Sequence, residues 1–293
     1  MRRIFRGFVW CALALAMTAC ATATLTRLAY GNVVMAYTTL GPMATWMIDD
    51  YVDLVGSRED WVRTRVDRVL AWHRAEELPR LRAMLETMLA KSNNAYKLED
   101  IAQQQKELRA SYYRLVEQLI PDTAEFLGTL DTEEIAQIER KLADDNRKYV
   151  RDSVKGTPEE RTERRVQRFI GHLEAWVGDL EPAQRQLVAE RFRSLRDISE
   201  DMMGERRFRQ GEIMGLVRAK APRAEMEAGL RRVFMETDSW RRPEYVQKLR
   251  ERDSRMHALI ADLSATLSER QRAALQKRIR GLLRDISTLT ASS

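Results

Sequence analysis

Val166-Gln167-Arg168-Phe169-Ile170-Gly171-His172-Leu173-Glu174-Ala175-Trp176-Val177 decides the fold. Its apolar residues recur at steps of three and four, the period that lines one face of an α-helix, whereas a half-buried strand needs every second residue. Outward in both directions the period returns. Downstream it runs through Val188, Phe192, Leu195 and Ile198, then Met256, Leu259, Ile260 and Leu263, then Leu275, Ile279, Leu282, Leu283 and Ile286. Upstream it marks Val62, Val66, Val69 and Leu70, then Ile101, Leu108, Tyr112, Leu115 and Leu119, then Ile135, Ile138, Leu142 and Tyr149. Most of the seven prolines fall between these stripes, where a missing amide donor does least harm. Only residues 32–40 have a strand-like β-branched content. The expected architecture is all-α, an elongated multi-helix bundle of helical hairpins.

The N-terminus carries an address. Arg2, Arg3 and Arg6 precede an uncharged apolar run from Phe8 to Met17, then the small residues Thr18 and Ala19, then Cys20. A run of roughly ten residues is too short to span a bilayer, and a small-residue cut site follows it, the layout of a secretory signal. A cysteine at the cut is where a bacterial lipoprotein is acylated. The expectation is a signal over 1–19, lipidation at Cys20, a short Thr-rich tether to residue 29 and an all-helical domain over 30–293. Lipid then makes the membrane the first partner. Ala21, not Asp, follows the cysteine, which resembles the pattern exported onward to the outer membrane, facing the periplasm.

Composition excludes several function classes. The chain has 50 basic and 44 acidic residues, and three arginines leave with the signal, so the mature balance is too even for a nucleic-acid binder. Its distribution is uneven: residues 20–155 hold 19 basic and 22 acidic groups, residues 156–293 hold 28 and 22, which suggests a subdivision near 155. Both cysteines, Cys11 and Cys20, lie in the signal or at the lipid site, leaving no thiol for catalysis and no disulfide. The three histidines, His73, His172 and His257, are far apart, and although His73 and Glu77 have a ligand-like spacing, no further ligand stands nearby. No Gly-x-Ser-x-Gly elbow occurs. The sequence therefore reads as a non-enzyme with no metal and no cofactor.

A weak repeat joins the stripes. Leu180-Glu181-Pro182-Ala183-Gln184-Arg185 and Leu267-Ser268-Glu269-Arg270-Gln271-Arg272 each place Leu four residues before Gln-Arg; the segments from Leu54 to Arg58 and Leu130 to Glu134 are looser copies. Helix capping accounts for much of this, with Ser268 and Gln271 as one capping box and Asp131 and Glu134 as its acidic counterpart beside a Leu130–Ile135 staple. Ser57 and Asp60 have the spacing of a further capping pair. The copies also resemble the Leu-Thr-x-x-Gln signature of the Spy and CpxP type periplasmic proteins, and that resemblance implies a helical, chaperone-like or stress-regulatory protein.

A second resemblance rests on Arg-Leu-Ala-Tyr at 27–30, on Trp46-Met47-Ile48-Asp49-Asp50-Tyr51-Val52-Asp53-Leu54, and on His73-Arg74 followed by Glu77-Leu78-Pro79. These residues are similar to a family of uncharacterised proteobacterial lipoproteins known only as a domain of unknown function. It implies the lipid address and a helical fold, and no activity.

Two stretches are candidate partner surfaces. One is Trp46, Asp49, Asp50, Tyr51 and Asp53, of which Asp49 and Asp53 would share a helix face; in the plainer reading the acids pair with Arg63, Arg65 or Arg74 while Trp46, Met47 and Tyr51 pack inward. The other is Arg206, Arg207 and Arg209, with Arg231 and Arg232, among Met202, Met203, Met214, Met226 and Met235, where thioethers and guanidinium groups would suit varied apolar and acidic clients unless the methionines simply fill a core. The expected function is an interaction or chaperone-like role in the cell envelope, with unfolded proteins as clients; the alternative is a tether for one specific envelope protein.

Overall fold

The computed structural model describes residues 33–291, so Cys20, the signal and the tether lie outside the described residues. The described chain is helical throughout and contains no strand. In order the helices are α1 (Val33–Asp49), α2 (Ser57–Trp72), a π turn (His73–Glu77), α3 (Leu78–Lys91), α4 (Leu98–Gly128), α5 (Thr132–Tyr149) and a second π turn (Val150–Val154). The chain continues through α6 (Pro158–Val177), α7 (Pro182–Arg193), α8 (Ser199–Arg218), α9 (Arg223–Phe234), a 3₁₀ turn (Thr237–Ser239), α10 (Pro243–Ala265) and α11 (Glu269–Ala291). The β-branched run at 33–40 is thus helix, and Val34, Tyr37 and Leu40, spaced by three, pack α1 on the second core beside α2 and α11. Pro42 and Pro121 sit inside helices; Pro158, Pro182 and Pro243 open them.

These helices enclose two apolar cores. The first gathers Val62 of α2, Ile120 and Leu127 of α4, Ile138 of α5, Val217 of α8 and Leu230 of α9. The second gathers Leu78 and Leu85 of α3, Val166 and Ile170 of α6, Val188 of α7, Leu259 of α10 and Ile279 of α11. Each draws residues from both sides of position 155. Ile138 and Ile279 are fully buried, each contributing roughly 1.5–3 kcal/mol by transfer from water. The rod from Ser57 to Lys91 serves both: α2 gives Val62 and Val66 to the first core and, at its end, Leu70 to the second, which α3 then continues with Leu78 and Leu85. The π turn between them carries Glu77 inward, where its carboxylate accepts from Arg114 Nε (2.6 Å), Ser111 Oγ (2.6 Å) and Arg80 Nη1 (3.1 Å).

The repeated Leu-x-x-x-Gln turns meet in pairs. Gln184 and Gln271 are buried and exchange amide hydrogen bonds, Nε2 of each donating to Oε1 of the other (2.9 and 2.8 Å). Gln184 Nε2 also donates to the carbonyl of Thr266, the residue before Leu267, and Gln271 Nε2 to that of Asp179, the residue before Leu180 (2.9 Å each). The α6–α7 and α10–α11 turns therefore clasp each other with local two-fold equivalence. The looser copies do the same in charged form: Arg58 pairs with Glu134 and donates to the carbonyl of Thr129, which precedes Leu130 (3.3 Å). Asp131 caps α5 as expected, accepting from the amides of Glu133 and Glu134 (2.9 Å each). Ser57 does not cap α2; Gly56 holds that position at φ 58, a left-handed conformation that costs glycine little.

Candidate functional site

The Trp46–Asp53 stretch is not one helical face. α1 ends at Asp49, and the chain turns sharply there because the Asp49 carboxylate accepts the amide of Leu54 (2.9 Å). Tyr51 is fully buried in the first core and its hydroxyl donates to the buried Asp145, so it is no partner surface. Asp50 pairs with Lys141 (2.6 Å) and Asp53 accepts from Gln137 (3.3 Å), not with the arginines expected; Arg63 and Arg65 pair instead with Asp60 and with Asp122 and Glu125. Trp46 is exposed rather than packed inward.

The arginine cluster on α8 is also redistributed. Arg207 is exposed, but Arg206 and Arg209 are buried, which contradicts a client surface made of all three. Helical phase is the cause: positions 205, 206, 209, 213 and 217 turn one broad stripe of α8 inward, and Arg207 lies opposite. Met203, Met214 and Met226 are buried with them, so these methionines fill core. Arg206 Nε donates to the Asn146 carboxamide (2.7 Å), and among the described residues no carboxylate lies within 4 Å of its guanidinium.

The redistribution builds a recess. Arg109, Tyr112 and Tyr113 share one face of α4 at spacings of three and four, opposite Glu205 and Arg209 of α8. The third wall is residues 233–241, where α9 ends and a single 3₁₀ turn precedes α10. Together they enclose about 400 Å³. That wall is pinned: Tyr112 Oη donates to the Phe234 carbonyl (3.2 Å), Trp240 Nε1 donates to the Arg232 carbonyl (3.1 Å), and the Trp240 ring stacks on Phe208 at 4.6 Å. Burial raises the Tyr112 phenol well above its ordinary range, Arg209 pulling the other way, so it stays a neutral donor.

At the back of the recess one carboxylate answers two guanidinium groups. Glu205 Oε1 accepts from Arg209 Nη1 and Arg241 Nη2, and the Tyr245 phenol beside it is pushed up by burial and then by the Glu205 charge. Arg209 Nε and Arg241 Nε are enclosed and have no hydrogen-bond partner among the described residues. On the other side of Tyr113 and Met235 a second, more open recess of about 450 Å³ is lined by Trp72, Glu76 and Arg80 of the 57–91 rod and by Arg114, Glu117 and Gln118 of α4. The two adjoin at Tyr113 and Met235, which line both, and form one trough.

Guanidinium, phenol, carboxylate and thioether groups make a surface suited to holding a polar and apolar ligand together. Sequence patterning picked out Tyr112 as a stripe residue and Arg209 as a surface charge, and it missed Glu205, Arg241 and Tyr113. The one available signal was the unusual Glu205-Arg206-Arg207-Phe208-Arg209 run on a helix whose apolar face is broken by charge. The equally spaced His73 and Glu77 are not a ligand pair: Glu77 is spent on Arg114, Ser111 and Arg80, while His73 Nδ1 lies 3.2 Å from Tyr37 Oη. Among the described residues no group of three or more His, Cys, Asp and Glu side chains could hold a metal ion, and no helix is long and apolar enough to cross a membrane.

A family model described as a family of unknown function (DUF6279) matches residues 50–246, which takes in α2 through the start of α10 and the whole trough. No curated protein and no solved structure matches the chain.

Proposed function

We propose that this chain, which belongs to the family of unknown function DUF6279, is an outer-membrane-anchored, periplasm-facing lipoprotein with a non-enzymatic interaction role, holding one defined envelope partner. The anchor half of the reading rests on the sequence: a charged start, a short apolar core and Cys20 after small residues. The choice of one partner over many clients is supported by the trough. Its walls are fixed by ion pairs, tyrosine hydrogen bonds and a stacked Trp240, and a preformed site of that kind selects a shape, whereas promiscuous binders use mobile apolar surface. The chaperone-like role expected from the sequence drew on an exposed arginine and methionine patch, and of its guanidinium groups at 206, 207 and 209 only Arg207 remains outside.

A photo-crosslinking residue at Tyr113 in cells tests the reading. A single dominant adduct is expected, lost when Met235→Arg fills the junction of the two recesses. A ladder of many adducts would restore the chaperone reading, and no adduct at all would remove the trough as the partner surface. Separately, Cys20→Ser should shift the chain out of the membrane fraction or leave it uncleaved; a variant that still partitions with detergent overturns the anchor.

A further inference from the structure

We infer that the deeper recess accepts a carboxylate presented by the partner beside an apolar side chain, the acid seated on the Arg209 and Arg241 guanidinium edges and the apolar group on Tyr113, Phe234 and Met235. The inference rests on the trough being a binding surface and adds the chemistry of what it binds.

Charge comes first. Arg209 and Arg241 are about nine-tenths enclosed, with side chains 8% and 13% exposed, and share the single carboxylate of Glu205. The back wall therefore carries one positive charge more than its acid neutralises. The other buried arginine of α8, Arg206, lies outside the lining and is held by the neutral Asn146, so it brings no further acid to this wall. Uncompensated charge out of water is costly, and an anion brought to that wall offsets the cost. Donors come second. The Nε–H groups of both arginines are enclosed and have no acceptor among the described residues, in a protein interior where such groups are ordinarily paired, so their charge is held by the Nη groups alone. A guanidinium edge presents its N–H groups in the fork that a planar carboxylate fits with two oxygens.

The remaining lining narrows the class. Glu236 and Asp238 stand exposed at the rim and would repel a phosphate dianion or a polyanion more strongly than a carboxylate monoanion. Val233, Phe234 and Met235 supply apolar wall beside the charged floor, so the acid should arrive with an apolar neighbour. A protein segment meets both demands in two ways: a C-terminal carboxylate on an apolar residue, or an Asp or Glu next to one.

Titration calorimetry on the full-length chain in detergent separates these cases with three probes: acetyl-Ala-Ala-Phe with a free carboxylate, the same peptide as its C-terminal amide, and acetyl-Glu-Phe-Ala amide. Saturable binding of at least one acid-bearing peptide is expected, with the uncharged amide about tenfold weaker or worse, and the affinity should fall as salt rises. Binding of the first peptide alone assigns a chain terminus, and binding of the third alone assigns an internal acid. Arg241→Gln should lose about tenfold or more in affinity. Because Arg241 also braces Glu205, Ser239→Trp serves as the second variant: an exposed rim residue whose bulky replacement closes the mouth should abolish binding with an unchanged melting temperature. Equal affinity for acid and amide, no binding by any of the three, or unaltered binding by Ser239→Trp overturns the carboxylate site. A single Tyr113 adduct in cells alongside equal acid and amide affinities leaves the partner reading standing and removes the carboxylate; acid-selective binding without an adduct does the reverse.

Discussion

Glu205 is a buried acid on which two enclosed arginines converge, with the Tyr245 phenol beside it. Glu205→Gln leaves both guanidinium groups without their acid and should destabilise the fold by about 3–5 kcal/mol in urea unfolding. Arg207→Glu, two positions along but on the exposed face, should change stability by less than about 0.5 kcal/mol. A comparable loss in both variants would contradict the inward and outward division of α8. His73 gives a pH dependence of defined sign. Burial lowers its imidazole below the ordinary range, the Glu77 carboxylate pulling partly back, with Tyr37 and Arg74 as its other neighbours. The unfolded chain therefore takes the proton first: the contribution is intact above about pH 6.5 and is lost as pH falls from there through the folded value. His172 is lowered too, by burial and then by Arg168, so His73→Gln should remove part of the decline in melting temperature between neutral pH and pH 5, and a slope identical to wild type would contradict it.

At the scale of the helical elements, the paired turns are the feature with the sharpest energetic consequence. Gln184→Ala removes the two bonds exchanged with Gln271 and the donor to the Thr266 carbonyl, which should cost about 1–3 kcal/mol, and Gln271→Ala does the same to Gln184 and the Asp179 carbonyl. The bonds exchanged between the two amides are lost in full with either single variant and only once in the double variant, so a double-mutant cycle should show the two losses to be clearly less than additive. Strict additivity would mean that the amides do not meet. Asp131→Ala removes two amide acceptors at the start of α5 and should cost about 0.5–2 kcal/mol, whereas Ser57→Ala, which caps nothing, should be close to neutral.

The whole molecule is held as one packing system by the elements that visit both cores. The rod of α2, π turn and α3 places Val62 in the first core and Leu78 in the second; α4 contacts α2 and α9 on one side and α10 on the other. Neither core can lose its helices without disturbing the other. Single-tryptophan variants retaining Trp61, packed on the first core, or Trp176, packed on the second, should report the same denaturant midpoint. Midpoints separated by more than the error of the fits would divide the molecule into two independent folding units.

The all-α class and the membership of the stripes were legible in the sequence because apolar periodicity is a local property, written into steps of three and four: Val166, Ile170, Leu259 and Ile279 are buried where the period places them. Capping was legible at Asp131 and Ser268 for the same reason, since a cap depends on residues three apart. What the sequence could not decide was anything set by contact between distant segments. That Gln184 meets Gln271, that Arg58 meets Glu134, that the inward-packed Tyr51 meets Asp145, and that Arg209 meets Arg241 over Glu205 all follow from how helices pack, and spacing along the chain carries no record of it. Arginine is the residue on which the two levels diverge most. Its charge reads as surface in a linear sequence, yet its long apolar stem and planar fork let it lie inside wherever tertiary structure brings an acid or an amide to meet it, and only the packing of α4, α8 and the 233–241 wall made Arg209 and Arg241 the floor of a recess.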